Sequence, residues 1–293
     1  MIPSISDFVA QLKIGEQNIY LVRQLFDATY SSSDLLAEPE LPEIDVLICC
    51  TEKDSRSLPE VVDSIFQHSL NPVREITIIS PKKLDLSNLN LKYSTRINNV
   101  LDEIILDKLE MNLIESVSPQ GRLGWVTQQV LKIKYAIDST SKYLLVIDSD
   151  TILLQPHAFV NKSGTQTLSI SYEKHMPYLE HSSRFFNLQK SKKSYVTHYQ
   201  LWQTAFIKEM FPQGFDSIYE WLRLGQTNEA SSFSEFHCYG MWLETRHPSN
   251  RVIISWRNLN ISHEKWNQNA LNKTSIGATY GPLNSASVHS YLE

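Results

Sequence analysis

The chain has 293 residues, with 27 Lys and Arg against 32 Asp and Glu and a formal net charge of -5. With no block of clustered Lys and Arg, that balance speaks against nucleic acid as the main partner. Charged and apolar fractions of 20% and 42% are those of an ordinary globular protein. No run approaches the ~20 apolar residues of a membrane-spanning helix.

The three cysteines, Cys49, Cys50 and Cys238, suggest no disulfide framework, and the adjacent pair Cys49-Cys50 in an apolar run reads as small buried hydrophobes. Met1 to Asp7 lacks the basic start and apolar core of a signal peptide, so a reducing cytoplasm is the expected location. Apolar residues at Phe8, Val9, Leu12, Ile19, Val22, Leu25 and Phe26 predict an amphipathic helical extension over 1–40. Residues 41–293 are expected to form one α/β domain.

Ile44 to Cys50 is apolar and reads as a buried parallel strand. The polar loop Thr51 to Arg56 precedes a helix with Ser57 as N-cap, Pro59 in the first turn and Glu60 closing a capping box. A second strand, Glu75 to Ser80, completes a βαβ unit. Val100 to Leu106 suits either a strand or the start of a helix. A helix is predicted from Gly124 to Ile137, on which Lys132 reads as a solvated charge. Tyr143 to Ile147 is a further strand. The alternation argues for a mainly parallel sheet with helices on both faces. Later elements are a helix over 199–211, a second over 215–224 and a strand over 251–256. Neither G-x-G-x-x-G nor a P-loop is present, so a phosphorylated ligand would need a metal or basic side chains.

Asp148-Ser149-Asp150 ends the apolar run from Tyr143. Two carboxylates spaced i, i+2 at the carboxyl end of a buried strand lie where open α/β sheets bind ligands, and both can reach one hard divalent ion. A pair of solvated turn residues is the structural alternative.

The run Tyr143 to Asp150 resembles the DxD motif of GT-A nucleotide-sugar glycosyltransferases. Gly121 to Gln129, Val196-Thr197-His198, Ser234-Glu235-Phe236 and Tyr239-Gly240 are similar to a little-characterised bacterial family of GT-A-like proteins, over about residues 44–266. The resemblance implies a GT-A-like, Rossmann-like mixed sheet flanked by helices. It also implies a UDP- or GDP-sugar donor, Mn2+ or Mg2+, and a glycan, lipid-linked or protein acceptor. Carried over position by position, Thr51, Glu52 and Asp54 would hold the base and ribose, and Arg122 the pyrophosphate, with Lys132 a lesser choice. Asp148, Asp150 and His263 would hold the metal, with His289 the weaker alternative to His263. If the transfer inverts, Glu235 would be the general base, and His198 would line the acceptor side. The tryptophans Trp125, Trp202, Trp221, Trp242 and Trp256 are expected mostly in the core, one of them stacking on a sugar.

The same acidic run also resembles the nucleophile motif of haloacid-dehalogenase-type phosphatases, with Asp148 attacking. That reading needs a later acidic pair, and only Asp216 and Glu220 offer one. A nucleotidyltransferase would carry a Gly-rich basic loop after the first strand, which Thr51 to Arg56 is not. A non-catalytic binding module of the same fold is the third alternative.

Overall fold

The computed structural model describes residues 40–171, 175–225, 231–269 and 283–289. The helical extension expected over 1–40 lies, apart from Glu40, outside them. In chain order the main elements are β1 (Ile44–Cys49), α1 (Leu58–His68), β2 (Val73–Ser80), β3 (Ile97–Leu101), α2 (Asp102–Ile105), α3 (Lys108–Val117), α4 (Leu123–Asp138), β4 (Tyr143–Ile147) and β5 (Thr151–Leu153). There follow β6 (Gln166–Ile170), α5 (Met176–Phe186), β7 (Tyr199–Gln203), α6 (Thr204–Met210), α7 (Phe215–Leu224), α8 (Glu235–Arg246), β8 (Arg251–Ser255), β9 (Asn258–Ser262), α9 (His263–Asn269) and β10 (Ser285–His289).

The central sheet has the order β3-β2-β1-β4-β7, parallel throughout except for the antiparallel last strand. The mixed, mainly parallel α/β architecture expected from the sequence is therefore the one adopted. Period-two alternation sends neighbouring side chains to opposite faces. Val46, Ile48, Leu145 and Ile147 pack with Leu58, Val61, Val62 and Ile65 of α1. Leu47, Leu144 and Val146 pack with Val126, Val130 and Ile133 of α4. Covering both faces is what lets β1 and β4 be continuously apolar. Each such Val, Leu or Ile, taken fully out of water, contributes roughly 1.5–3 kcal/mol. Cys49, Cys50 and Cys238 are buried within these layers.

Two local readings are corrected. The helix expected over 199–211 begins as β7, because Tyr199–Gln203 is wholly buried and pairs antiparallel with Tyr143–Ile147; the helix starts only at Thr204. Ser57 does not cap α1. A 3-10 turn over Glu52–Ser57 runs straight into the helix, Ser57 itself is helical, and its side chain makes no cap hydrogen bond. The Glu60 carboxylate instead accepts from the Trp266 indole. Val100 to Leu106 is both things it suggested, the end of β3 and then α2.

The chain runs outward from β1 to β2 and β3, then returns to place β4 on the other side of β1. In open α/β sheets such a reversal opens a crevice beyond the carboxyl ends of the two central strands. Here those ends are Cys50-Thr51 and Asp148-Ser149-Asp150. Beside them, β10 lies between β5 and β9, antiparallel to the first and parallel to the second. No helix among the described residues is long and apolar enough to cross a membrane.

Gly240, in the middle of α8, faces the ring of Tyr195, which is fully buried, so closely that a Cβ there would overlap the tyrosine side chain. Ala in a helix normally gains about 0.5–1 kcal/mol over Gly. Overpacking costs about 1–3 kcal/mol and wins. Gly240→Ala should therefore lower the melting temperature, and an unchanged or higher value would contradict this packing.

Candidate functional site

A cleft of about 490 Å3 opens at the carboxyl ends of β1 and β4. The acid pair lies on one wall, with Asp148 and Asp150 side chains 25% and 26% exposed. Register explains what meets them. Tyr199 stands opposite Ile147 in the antiparallel pair, so His198 arrives beside Asp148. The Asp148 backbone N–H donates to the His198 carbonyl (2.9 Å), and His198 Nδ1 donates to Asp148 Oδ2 (3.1 Å). On the other side Ser287 stands opposite Thr151, and the Val288 N–H donates to the Asp150 carbonyl (2.8 Å). His289 Nδ1 thereby reaches Asp150 Oδ2 at 2.8 Å.

The third basic partner is Lys132. It is not a solvated charge on α4. Its side chain is 2% exposed, and Nζ lies 2.7 Å from both Asp148 Oδ1 and Glu235 Oε1. α4 is covered beyond the stripe that its apolar periodicity marks, so the residue flanking that stripe is buried too. An ammonium there is tolerable only when paired. Glu235 opens α8 behind the N-cap Ser234, whose Oγ accepts the His237 N–H, and its own backbone N–H donates to Gln129 Oε1 (3.1 Å). Lys132 thus ties α8 to the end of β4.

Electrostatics follow from this arrangement. Burial alone would raise the Asp148 carboxyl, but Lys132 and then His198 bring it down to about 2. Burial opposes the charge on Lys132, yet Asp148 and Glu235 outweigh it and raise the ammonium above the ordinary lysine value. Cys49, beneath the same cluster, is pushed up to about 12 by burial, although Lys132 pulls the other way. Its thiol stays neutral and serves packing.

The remaining expected residues distribute unevenly. Asp54 lines the cleft, whereas Thr51 and Glu52 are exposed and do not line it. Thr51 Oγ1 donates to Asp54 Oδ2 (2.7 Å), closing the local turn. Arg122 and Trp125 form the rim, the guanidinium 4.5 Å above the indole ring and donating to Ser231 Oγ at 2.6 Å. Trp202, Trp221 and Trp256 are buried, as is Trp266. His263 is buried at the start of α9 and is not a lining residue; His289, level with Ser262 on the neighbouring strand, is. The reason is strand order. β10 adjoins β5, and β9 lies one strand further from Asp150. Asp216 and Glu220 are exposed on α7, away from the cleft lining, so they supply no second acidic pair for the phosphatase reading.

Asp148, Asp150 and His289 are the ligand types that a hard or borderline divalent ion takes. They stand as hydrogen-bonded acid–base pairs, and among the described residues no three His, Cys, Asp or Glu side chains already converge on one point. Asp150 and His289 suit a shared ion. Asp148 would join them only in the face of Lys132.

Among solved structures, galactosyltransferase LgtC in complex with donor and acceptor sugar analogues is similar to this chain at 9% identity. The match covers 83% of this chain and 86% of that one, with a TM-score of 0.45. The apo form of mouse xyloside xylosyltransferase 1 is similar at 9% identity over 86% of this chain and 99% of that one, with a TM-score of 0.47. No curated protein matches the sequence. A family model described as a family of unknown function (DUF6492) matches residues 70–280, and the chain belongs to that family.

Proposed function

We propose that this chain is a GT-A-type glycosyltransferase that moves a sugar from a nucleotide diphosphate sugar to an acceptor hydroxyl. The observation that carries the reading is the charge of the cleft. Four carboxylates line it, those of Asp54, Asp148, Asp150 and Glu235, and the buried cation Lys132 is already shared by two of them. An anionic diphosphate entering such a cleft needs a further positive charge, since like charges at close range cost several kcal/mol where water is partly excluded. A divalent ion, Mn2+ or Mg2+, would be held by Asp150 and His289 with Asp148. When bound, it supplies charge to the leaving diphosphate.

The chain's own residues do the rest. Arg122 at the rim offers guanidinium donors to the phosphates. Asp54, in the turn after β1 and lining the cleft, would accept from a ribose hydroxyl. Glu235 accepts the proton of the acceptor hydroxyl, as an inverting transfer requires. Trp125 and Tyr178 give the rim aromatic surface against which a sugar ring can pack.

Thermal-shift screening of UDP and GDP, each with and without Mn2+, tests the binding half. Stabilisation by a nucleoside diphosphate that depends on the metal is expected, and no response to any pairing overturns the reading. Slow metal-dependent hydrolysis of the matching nucleotide sugar separates an enzyme from a binding module, which would bind without turnover.

A further inference from the structure

We infer that Lys132 is a built-in cation that competes with a divalent ion for Asp148, holding down the affinity of the free protein for that ion until the diphosphate arrives. This rests on the metal-dependent reading above and adds a control within the same site. The argument is geometric. The ammonium lies 2.7 Å from Asp148 Oδ1, and the second carboxylate that holds it, Glu235, is 6% exposed. Lys132 comes from α4, Asp148 follows β4 and Glu235 opens α8, so three separately placed elements fix the contact. With its side chain 2% exposed, the lysine has no solvent to retreat into. The Phe236 ring, 4.6 Å from Nζ, closes another side.

Asp148 Oδ2 is meanwhile bonded to His198. Each oxygen of the first acid therefore already accepts one charge-assisted contact within the protein. An ion held by Asp148 would share that carboxylate with the buried ammonium, and the two like charges would repel. The negative charge of a diphosphate relieves that repulsion. By linkage, ion and diphosphate then raise each other's affinity by the same factor. Lys132 is a positioning residue in this scheme and touches no substrate.

The competition fixes a sign that a merely structural lysine would not. Mn2+ alone is the probe, titrated into the full chain with the free ion followed by electron paramagnetic resonance. Lys132→Gln should bind Mn2+ about tenfold or more tightly than the wild type, an order of magnitude in keeping with removal of one close like charge. Lys132→Arg should stay near the wild-type affinity. Because Lys132→Gln leaves Glu235 buried without its cation, a change that threatens folding, Lys132→Gln/Glu235→Gln is measured beside it, with circular dichroism to establish folding. It too should bind more tightly than the wild type. In each case the gain should disappear when Asp150→Asn is added. Equal or weaker binding by the folded variants overturns the proposal and leaves the metal-dependent reading standing. No binding by the wild type or any folded variant overturns both.

Discussion

The protein should lose its tertiary structure between about pH 6 and pH 4. His157, His181 and His237 are buried, and burial pushes each imidazole down to about 4 from the ordinary 6.5. Their neighbours give the reason. His157 faces Thr167 Oγ1 (3.0 Å) and the rings of Phe159 and Tyr199. His181 Nε2 donates to the Trp221 carbonyl (2.8 Å) and lies among Trp221, Phe185 and Phe233. His237 Nδ1 accepts the Tyr195 N–H (3.4 Å), and its ring stacks on that tyrosine. None of these contacts is a carboxylate that would welcome a second proton, and His181 disfavours charge on His237.

The sign follows directly. From pH 6.5 down to 4 the unfolded chain binds protons that the folded chain refuses, so stability falls as pH falls. A shift of this size is worth about 3 kcal/mol per histidine. Three of them amount to roughly 10 kcal/mol, within the 5–15 kcal/mol that usually separates folded from unfolded protein. Asp148 adds a further loss between the ordinary carboxylate value and about 2, since its folded value is the lower one. Intrinsic fluorescence of the six tryptophans follows the transition. A chain that stays folded at pH 3.5 would sink the prediction. Replacing His181 by Leu should move the midpoint to lower pH.

How far the sequence discloses this structure depends on where burial comes from. β1, β2 and β4 are short apolar runs, and a strand covered on both faces has no other pattern, so they were legible. β7 was not. Tyr199-Gln200-Leu201-Trp202-Gln203 runs without a breaker into a true helix, and only its partner β4 makes it a strand. Lys132 fails for a similar reason. Its neighbours Val126, Val130 and Ile133 mark one face of α4, but the charges that draw the lysine inward lie 16 and 103 residues away. Asp148 and Asp150 could be found because strand end and motif coincide. Their basic partners could not, because His198 and His289 are delivered by sheet register. The contrast between His263 and His289 is of this kind. Both follow or end a short strand, and only the order β5-β10-β9 says which one adjoins Asp150.

That contrast carries the second large effect. If Asp150 and His289 hold the ion, Asp150→Ala should weaken Mn2+-dependent binding of a nucleoside diphosphate by at least about 100-fold, beyond the losses typical of outer-shell partners. His289→Ala should fall in the same range. His263→Ala should leave binding within about twofold, because that imidazole lies outside the cleft lining. Stability should not follow the same order. Asp150 is a quarter exposed, and its loss removes its bond to His289 Nδ1 while Nε2 stays 3.2 Å from Asn260 Oδ1. Such a change costs about 1–3 kcal/mol, which a chain of this size tolerates. Calorimetric titration with Mn2+ present, run beside thermal melts, separates binding from folding. Should His263→Ala abolish binding while His289→Ala retains it, the ion lies nearer β9, and the pairing across β5 and β10 has no part in holding it.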